Sequence, residues 1–326
     1  MINADSLRIS LPAILEPVLG DPVTIEDVQT VSGGARRGIW SLLARTPGAR
    51  RRLILRSGHP DELHAGMELE ARAQWAAGAA GAVVPHVLIA DGSPDALSEP
   101  YLICDQIAGE TIARKILRGL DDEARAGLLR QCAQALAAIH RADTTGIGAP
   151  HRDQLVTWRA QLDDLGTTTA TFEWALRWLV ANRPEPAPAR LVHGDFRMGN
   201  LIVDGGRLAA VLDWELVHIG DFHDDLAWFC IRAWRYGAPS RFGAGGLGGI
   251  QAFLQGYEDA AGVRVDRDTM RWWLVMSTLR WGIICCQQAQ RHLSGQSRSI
   301  ELAAIGRRVC ETEWDLLELL DDRRIA

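Results

Sequence analysis

The sequence predicts an α+β, bilobal architecture: a small lobe built on an antiparallel sheet with one main helix, followed by a larger, mostly helical lobe. Three observations support it. Short strand-like segments crowd the region from Thr24 to Gln106, and helical periodicity dominates after Gly109. Within the helical part, residues 191–215 break the pattern with two apolar strands around Gly205-Gly206. The expected division is 1–105 for the nucleotide-binding lobe, 106–110 for a hinge, and 111–326 for the helical lobe carrying the 191–215 hairpin.

In the small lobe, Thr24 to Val31 alternates in polarity, Gly33-Gly34 interrupts it, and Ile39 to Arg45 and Arg52 to Ser57 resume it. Val87 to Ala90 and Tyr101 to Cys104 complete a five-stranded sheet. Between the third and fourth strands, Asp61 to Trp75 reads as a helix. Leu63, Met67, Glu70 and Gln74 recur at helical spacing on one face, so Glu70 is expected to point inward. Beyond Gly109, helical patterns span Ile112 to Leu117, Glu123 to His140 and Leu155 to Asn182, the last punctuated by Gly166. A proline-rich connector, Asn182 to Ala189, leads into the hairpin, and helices resume from Phe222 around the break at Gly243 to Gly249.

Composition removes several function classes. The 326 residues are 47% apolar and 23% charged, enough for two ordinary domains or one bilobal unit. A net charge of -6 without a long basic run argues against a nucleic-acid binder. No secretory pattern opens the chain and no uninterrupted apolar stretch of about 18 residues occurs, so no membrane partner is expected and the cytoplasm is the expected location. The six cysteines form no C-x-x-C pair and sit mostly in apolar runs, as reduced core thiols do. Of the 35 basic residues only Lys115 is lysine; a P-loop, which needs G-K-S/T, is therefore excluded.

The segment LVHGDFRMGNLIVDGGRLAAVLDWELVHIGDFHDDLAW, Leu191 to Trp228, carries the chemistry. Asp195 and Asn200 are separated by four residues, the interval found in the catalytic loop of protein kinases, and the hairpin returns Asp213 towards Asn200. Asp195 is the candidate catalytic base for an acceptor hydroxyl. Asn200 and Asp213 are candidate Mg²⁺ ligands, because Mg²⁺ favours a few amide or carboxylate oxygens completed by phosphate and water. Arg197 is a candidate to hold the γ-phosphate, with a solvated loop arginine as the other reading. His193 reads as a brace for the catalytic loop. Asp225 has the same role from the helix DLAWFC, and Asp221 and Asp224 are alternatives.

In the small lobe, Gly33, Gly34 and Gly38 could bring backbone amides to the phosphates or simply form a hairpin turn. Arg56 ends the third strand where it could reach the α- and β-phosphates of ATP, held by Glu70 or by Glu68. Trp228, Trp234, Trp272, Trp273 and Trp281 gather in the helical lobe as core or as the lining of an acceptor site.

HGDFRMGNLIVD, AVLDWE and the GD-x-x-x-DLAW run resemble the aminoglycoside phosphotransferase and choline kinase-like superfamily, over nearly the whole chain. LILRSG and TLRWGI are most similar to kinase-like domains associated with acyl-CoA dehydrogenases. The resemblance implies a protein-kinase-like fold, ATP and Mg²⁺ as cofactors, and adenine held by backbone groups of Asp105, Gln106 and Ile107. It further implies a small hydroxylated substrate such as a hydroxyacyl-CoA, and a functional link to an acyl-CoA dehydrogenase. An aminoglycoside or macrolide antibiotic kinase stays open, with Asp221, Asp224, Asp225, Asp259 and Asp321-Asp322 as acids for a polycation. So does a nucleotide-binding pseudokinase scaffold, since Arg56 replaces the superfamily's usual lysine. D-W-E at 213–215 replaces the D-F-G of protein kinases, and no A-P-E segment follows.

Overall fold

The computed structural model describes residues 2–31 and 38–321, so Gly33 and Gly34 lie outside the described residues. Five strands, β1 (Thr24–Thr30), β2 (Gly38–Arg45), β3 (Arg50–Ser57), β4 (Val87–Asp91) and β5 (Tyr101–Asp105), form one antiparallel sheet in the order β1-β2-β3-β5-β4. Successive side chains of a strand face opposite sides. Leu53 and Leu55 of β3 accordingly pack with Leu7, Leu11 and Leu15 of helix α1 (Ala4–Leu19). Ile54 faces the other way, with Met67 and Ala71 of helix α2 (Met67–Ala79), and Arg56 shares its parity.

Two details depart from expectation. Helix α1 was not anticipated: its leucines recur every four residues and Asn3 and Ser6 form a capping box, but Pro12 and Pro17 inside it mask the helical pattern. Helix α2 begins at Met67 rather than Asp61. The Asp61 carboxylate accepts the N–H groups of Leu63 and His64, which closes a turn, and Gly66 is the extended N-cap residue. Leu63 is therefore off the helix, whereas Met67, Glu70 and Gln74 are buried as expected.

The helical part contains α3 (Ala113–Gly119), α4 (Asp122–His140), α5 (Gln154–Asp164), α6 (Ala170–Ala181), α7 (His223–Cys230), α8 (Ile250–Ala261), α9 (Arg267–Leu293), α10 (Ile300–Gly306) and α11 (Val309–Leu320). The long α9 packs against α5, α6, α7, α10 and α11, while α4 packs against α8. Strands β6 (Arg190–Val192) and β9 (His218–Gly220) pair antiparallel, as do β7 (Leu201–Asp204) and β8 (Arg207–Val211). Among the described residues no helix is long and apolar enough to cross a membrane.

The segment after β5 is tied to the hairpin. The Glu110 and Val203 backbones exchange hydrogen bonds of 2.9 and 3.0 Å. Gly109 permits this approach: its φ is +138°, and a Cβ there would lie 2.5 Å from Ile202 Cγ2 and 2.8 Å from the Val203 carbonyl oxygen.

Candidate active site

Strand β6 ends at Val192, and the chain turns through His193, Gly194 and Asp195 into a single 3₁₀ turn, Met198–Asn200, before β7. Both N–H groups of this turn's first two residues donate to one carboxylate: His193 N and Gly194 N lie 2.8 Å from Asp225 Oδ2 and Oδ1. Asp225, at the start of α7, is fully buried and also faces His140 Nε2 at 3.1 Å, while His140 Nδ1 lies 2.8 Å from the Tyr257 hydroxyl. Burial alone would raise the Asp225 pKa, but the hydrogen bonds and charge of His140 and the loop amides hold it below its ordinary value. Asp221 and Asp224, the alternative braces, are used elsewhere: Asp221 binds His223 and the Ala187 N–H, and Asp224 pairs with Arg280 and His218.

His193 joins the loop to the end of β8. Its Nε2 lies 3.0 Å from the Leu212 carbonyl oxygen, and Nδ1 lies 3.1 Å from the Asp195 N–H. A ring that donates from Nε2 and accepts at Nδ1 is neutral. Burial pushes its pKa below the usual histidine value, in keeping with that state. Gly194 adopts φ +84°, where a Cβ would lie 2.4 Å from the Leu216 carbonyl oxygen.

The Asp195 carboxylate is held from three sides. Asn200 Nδ2 donates to Oδ2 at 2.7 Å, Trp228 Nε1 to Oδ1 at 2.7 Å, and Arg197 Nε to both oxygens at 3.0 and 3.2 Å. With its amide nitrogen turned towards Asp195, Asn200 aims its Oδ1 away from that carboxylate. The Leu212 N–H donates to the Asn200 carbonyl at 2.8 Å, which brings the next residue, Asp213, alongside. Asp213 has φ +66°, a left-handed conformation that aspartate tolerates better than most residues.

Arg56 completes the arrangement from the sheet. Its Nη1 lies 2.8 Å from Glu70 Oε2 and its Nη2 2.8 Å from Asp213 Oδ1. Burial would lower the Arg56 pKa, but Glu70 and Asp213 raise it well above the ordinary arginine value. Glu68, the competing partner, instead lies 3.7 Å from Arg72 and accepts the Gly92 N–H. The donor set fits Mg²⁺ and a triphosphate: amide and carboxylate oxygens at Asn200 and Asp213 for a hard cation, and guanidinium groups at Arg56 and Arg197 for phosphate oxygens.

The other candidates divide. In the hinge, the N–H groups of Asp105 and Gln106 are taken by the carbonyls of His86 and Arg52, and the Asp105 carboxylate by Arg51. Those two amides are thus already engaged within the fold. Trp228, Trp234 and Trp281 form one cluster beside Asp195, with the Arg197 guanidinium 4.9 Å from the Trp234 ring. Trp272 and Trp273 line a different cavity of about 420 Å³, whose walls include none of Asp195, Arg197, Asn200 or Asp213. His140, Tyr257 and Arg280 were not singled out from the sequence. A histidine closing a helix and an arginine inside an apolar one were the available signals.

The sequence matches the family described as "Phosphotransferase enzyme family" over residues 30–273. The chain belongs to that family. Membership places this chain among phosphotransferase enzymes. This phosphotransferase is 29% identical over 250 residues to acyl-CoA dehydrogenase family member 10 of Mus musculus, covering 72% of this chain and 22% of that one. The chain spans between a fifth and a quarter of the length of such curated relatives. Its structure is similar to that of a putative aminoglycoside phosphotransferase from Ralstonia eutropha (TM-score 0.76, 20% identity, 98% of this chain and 99% of the other). A thermostable mutant of aminoglycoside phosphotransferase APH(4)-Ia, in ternary complex with AMP-PNP and hygromycin B, shares the fold (TM-score 0.62, 20% identity, 96% and 99%). The bilobal, protein-kinase-like α+β fold is thereby shown for this phosphotransferase.

Proposed function

We propose that this phosphotransferase moves the γ-phosphate of ATP to a hydroxyl of a small, uncharged or anionic substrate, with hydroxyacyl-CoAs the first candidates. The observation that carries the reading is the convergence of Asp195, Asn200, Asp213 and Arg56. Asp195 accepts the acceptor's proton and orients its oxygen in line with the γ-phosphorus, which is most of what a loose phosphoryl-transfer step requires of a protein. Asn200 and Asp213 supply oxygens to Mg²⁺, which neutralises the phosphate charge when bound. Arg56 fixes the phosphates from β3, with Glu70 as its anchor. Arg197 stabilises the moving phosphoryl group. Residues 106–110 join the two lobes of the cleft.

Four of the acids named for a polycation are already engaged. Asp221 is held by His223, Asp224 by Arg280, Asp225 by His140 and the loop, and Asp259 accepts from Gln255. The charged side chain that joins Asp195 directly is Arg197. These contacts favour a neutral or anionic acceptor over an aminoglycoside. The names of the curated relatives support a functional link to an acyl-CoA dehydrogenase, and a cytoplasmic location belongs to the same proposal.

A mass-spectrometric screen for gain of one phosphoryl group, with Mg-ATP and a panel of hydroxyacyl-CoAs, aminoglycosides, macrolides, choline and homoserine, tests the reading. Transfer to a hydroxyacyl-CoA, abolished by Asp195→Asn, is expected. Transfer to an aminoglycoside alone overturns the acceptor assignment, and turnover that survives Asp195→Asn overturns the role of the base.

A further inference from the structure

We propose that Trp228 and Arg280 are positioning residues for phosphoryl transfer, acting together on the orientation of Asp195. The proposal rests on the reading of Asp195 as the base. Rotation of an aspartate carboxylate about its last torsion is soft and broadly two-fold, so a base that must aim one lone pair needs to be fixed by its hydrogen bonds. Of the three donors to Asp195, Asn200 and Arg197 also face the metal and phosphate positions. Trp228 has no such second duty. Its indole is 2% exposed and meets Trp234 and Trp281 edge-on, with ring centroids 5.3 and 6.4 Å away. Its N–H stands 2.7 Å from Asp195 Oδ1, a short bond of the charge-assisted kind. One carboxylate oxygen is thereby engaged by a donor seated in a packed aromatic cluster.

Arg280 fixes that donor. It projects from the middle of α9, is 3% exposed, and places its guanidinium carbon 4.1 Å from the Trp228 ring centroid. The same group donates from Nη2 to the Gly194 carbonyl at 2.5 Å and from Nη1 to Asp224 Oδ1 at 3.3 Å. Gly194 immediately precedes the base. One buried cation therefore locates both the backbone that carries Asp195 and the indole that orients its side chain. Trp158 flanks the guanidinium at 5.3 Å, and Asp224 also faces His218, so Arg280 is enclosed by aromatic faces and one carboxylate. A fork of planar donors is what such a three-way contact needs, and lysine cannot reproduce it.

The test uses the intact chain in two arms. In the first, Trp228→Phe keeps an aromatic ring and removes the donor. With Mg-ATP and 3-hydroxybutyryl-CoA, kcat is expected to fall by about 10–100-fold, as small misplacements of reacting groups do, while the KM for ATP and the melting temperature hold. Arg280→Lys is expected to shift kcat in the same sense. Unchanged kcat in Trp228→Phe, or a fall matched by an equal rise in the KM for ATP, overturns the proposal. In the second arm, the Trp228 indole ¹⁵N–¹H resonance, assigned by its loss in Trp228→Phe, is expected downfield and to move upfield in Asp195→Asn. A resonance that stays in place overturns the proposal. If the wild-type chain transfers nothing to 3-hydroxybutyryl-CoA, the acceptor reading falls, and the second arm alone decides this one.

Discussion

Arg56 and Asp213 lie 157 residues apart in sequence and 2.8 Å apart in space, and the same guanidinium holds Glu70 at 2.8 Å. The sheet and the catalytic hairpin are therefore joined through a single side chain that is 14% exposed. A lysine, the superfamily's usual residue, offers one compact charge and cannot bridge both carboxylates in this geometry. Arg56→Lys is expected to raise the KM for ATP by about tenfold with kcat less affected, since it weakens a contact made in ground and transition states alike. Arg56→Ala leaves the fully buried Glu70 without its guanidinium partner and is expected to cost about 3 kcal/mol of folding stability, measured by chemical denaturation. A destabilisation within experimental error would refute the structural role of the bridge.

Acid should destabilise the chain in two pH windows, through groups at the loop around Asp195. The folded-state pKa of His193 is lowered, so between the ordinary histidine value of about 6.5 and its folded value the unfolded chain binds the extra proton. Stability therefore falls as pH drops below about 6.5. The Asp225 pKa is also lowered, and its contribution, present above the ordinary aspartate value of about 3.9, is lost as pH falls through the folded one. Denaturation midpoints measured at pH 7.5, 6.5 and 5.5 are expected to decline at the acid end, with a shallower decline in His193→Gln. An identical slope in the variant would show that His193 is not the group responsible.

What the sequence revealed and what it hid follow from the range of the interactions. Asp195, Asn200 and Asp213 are close enough in sequence for the turn chemistry of one hairpin to bring them together, so their convergence was legible. Glu70 was legible because helical spacing placed it inward with Met67, even though α2 starts six residues later than the periodicity suggested. Arg280 donates to Gly194 across 86 positions and His140 reaches Asp225 across 85, and no local periodicity encodes such distances. The partners of the Asp105 and Gln106 amides, the carbonyls of His86 and Arg52, were not legible for a related reason: they are set by sheet register and not by the hinge itself. Trp228 and Trp272 look alike in sequence, yet one donates to the Asp195 carboxylate and the other to the Leu179 carbonyl.

Gly109→Ala tests the coupling between hinge and hairpin. A methyl group at φ +138° is strained by itself, and it would press on Ile202 and on the Val203 carbonyl that accepts the Glu110 N–H. The expected cost is about 1–3 kcal/mol, the range for a residue forced into a disfavoured backbone region. Hydrogen exchange should show the loss locally, with faster exchange of the Glu110 and Val203 amides than of the β1–β3 ladder. Uniformly faster exchange throughout the chain would mean that the glycine serves general stability instead.

Arg197 is bound to the base through Nε, at 3.0 and 3.2 Å from the two Asp195 oxygens, and lies over Trp234. Such a pairing competes with the acceptor hydroxyl for the same carboxylate. A γ-phosphate, carrying more charge than a carboxylate, should draw the guanidinium away as the ternary complex forms. Arg197→Ala is therefore expected to lower kcat by about 100-fold, as loss of one preorganised group that stabilises transition-state charge does, with little change in ATP affinity by calorimetry. Arg197→Lys should recover part of the rate, since a point charge still reaches the phosphate. If Arg197→Ala instead raises kcat, the arginine acts only as a cap on the base and its assigned role at the phosphoryl group is wrong.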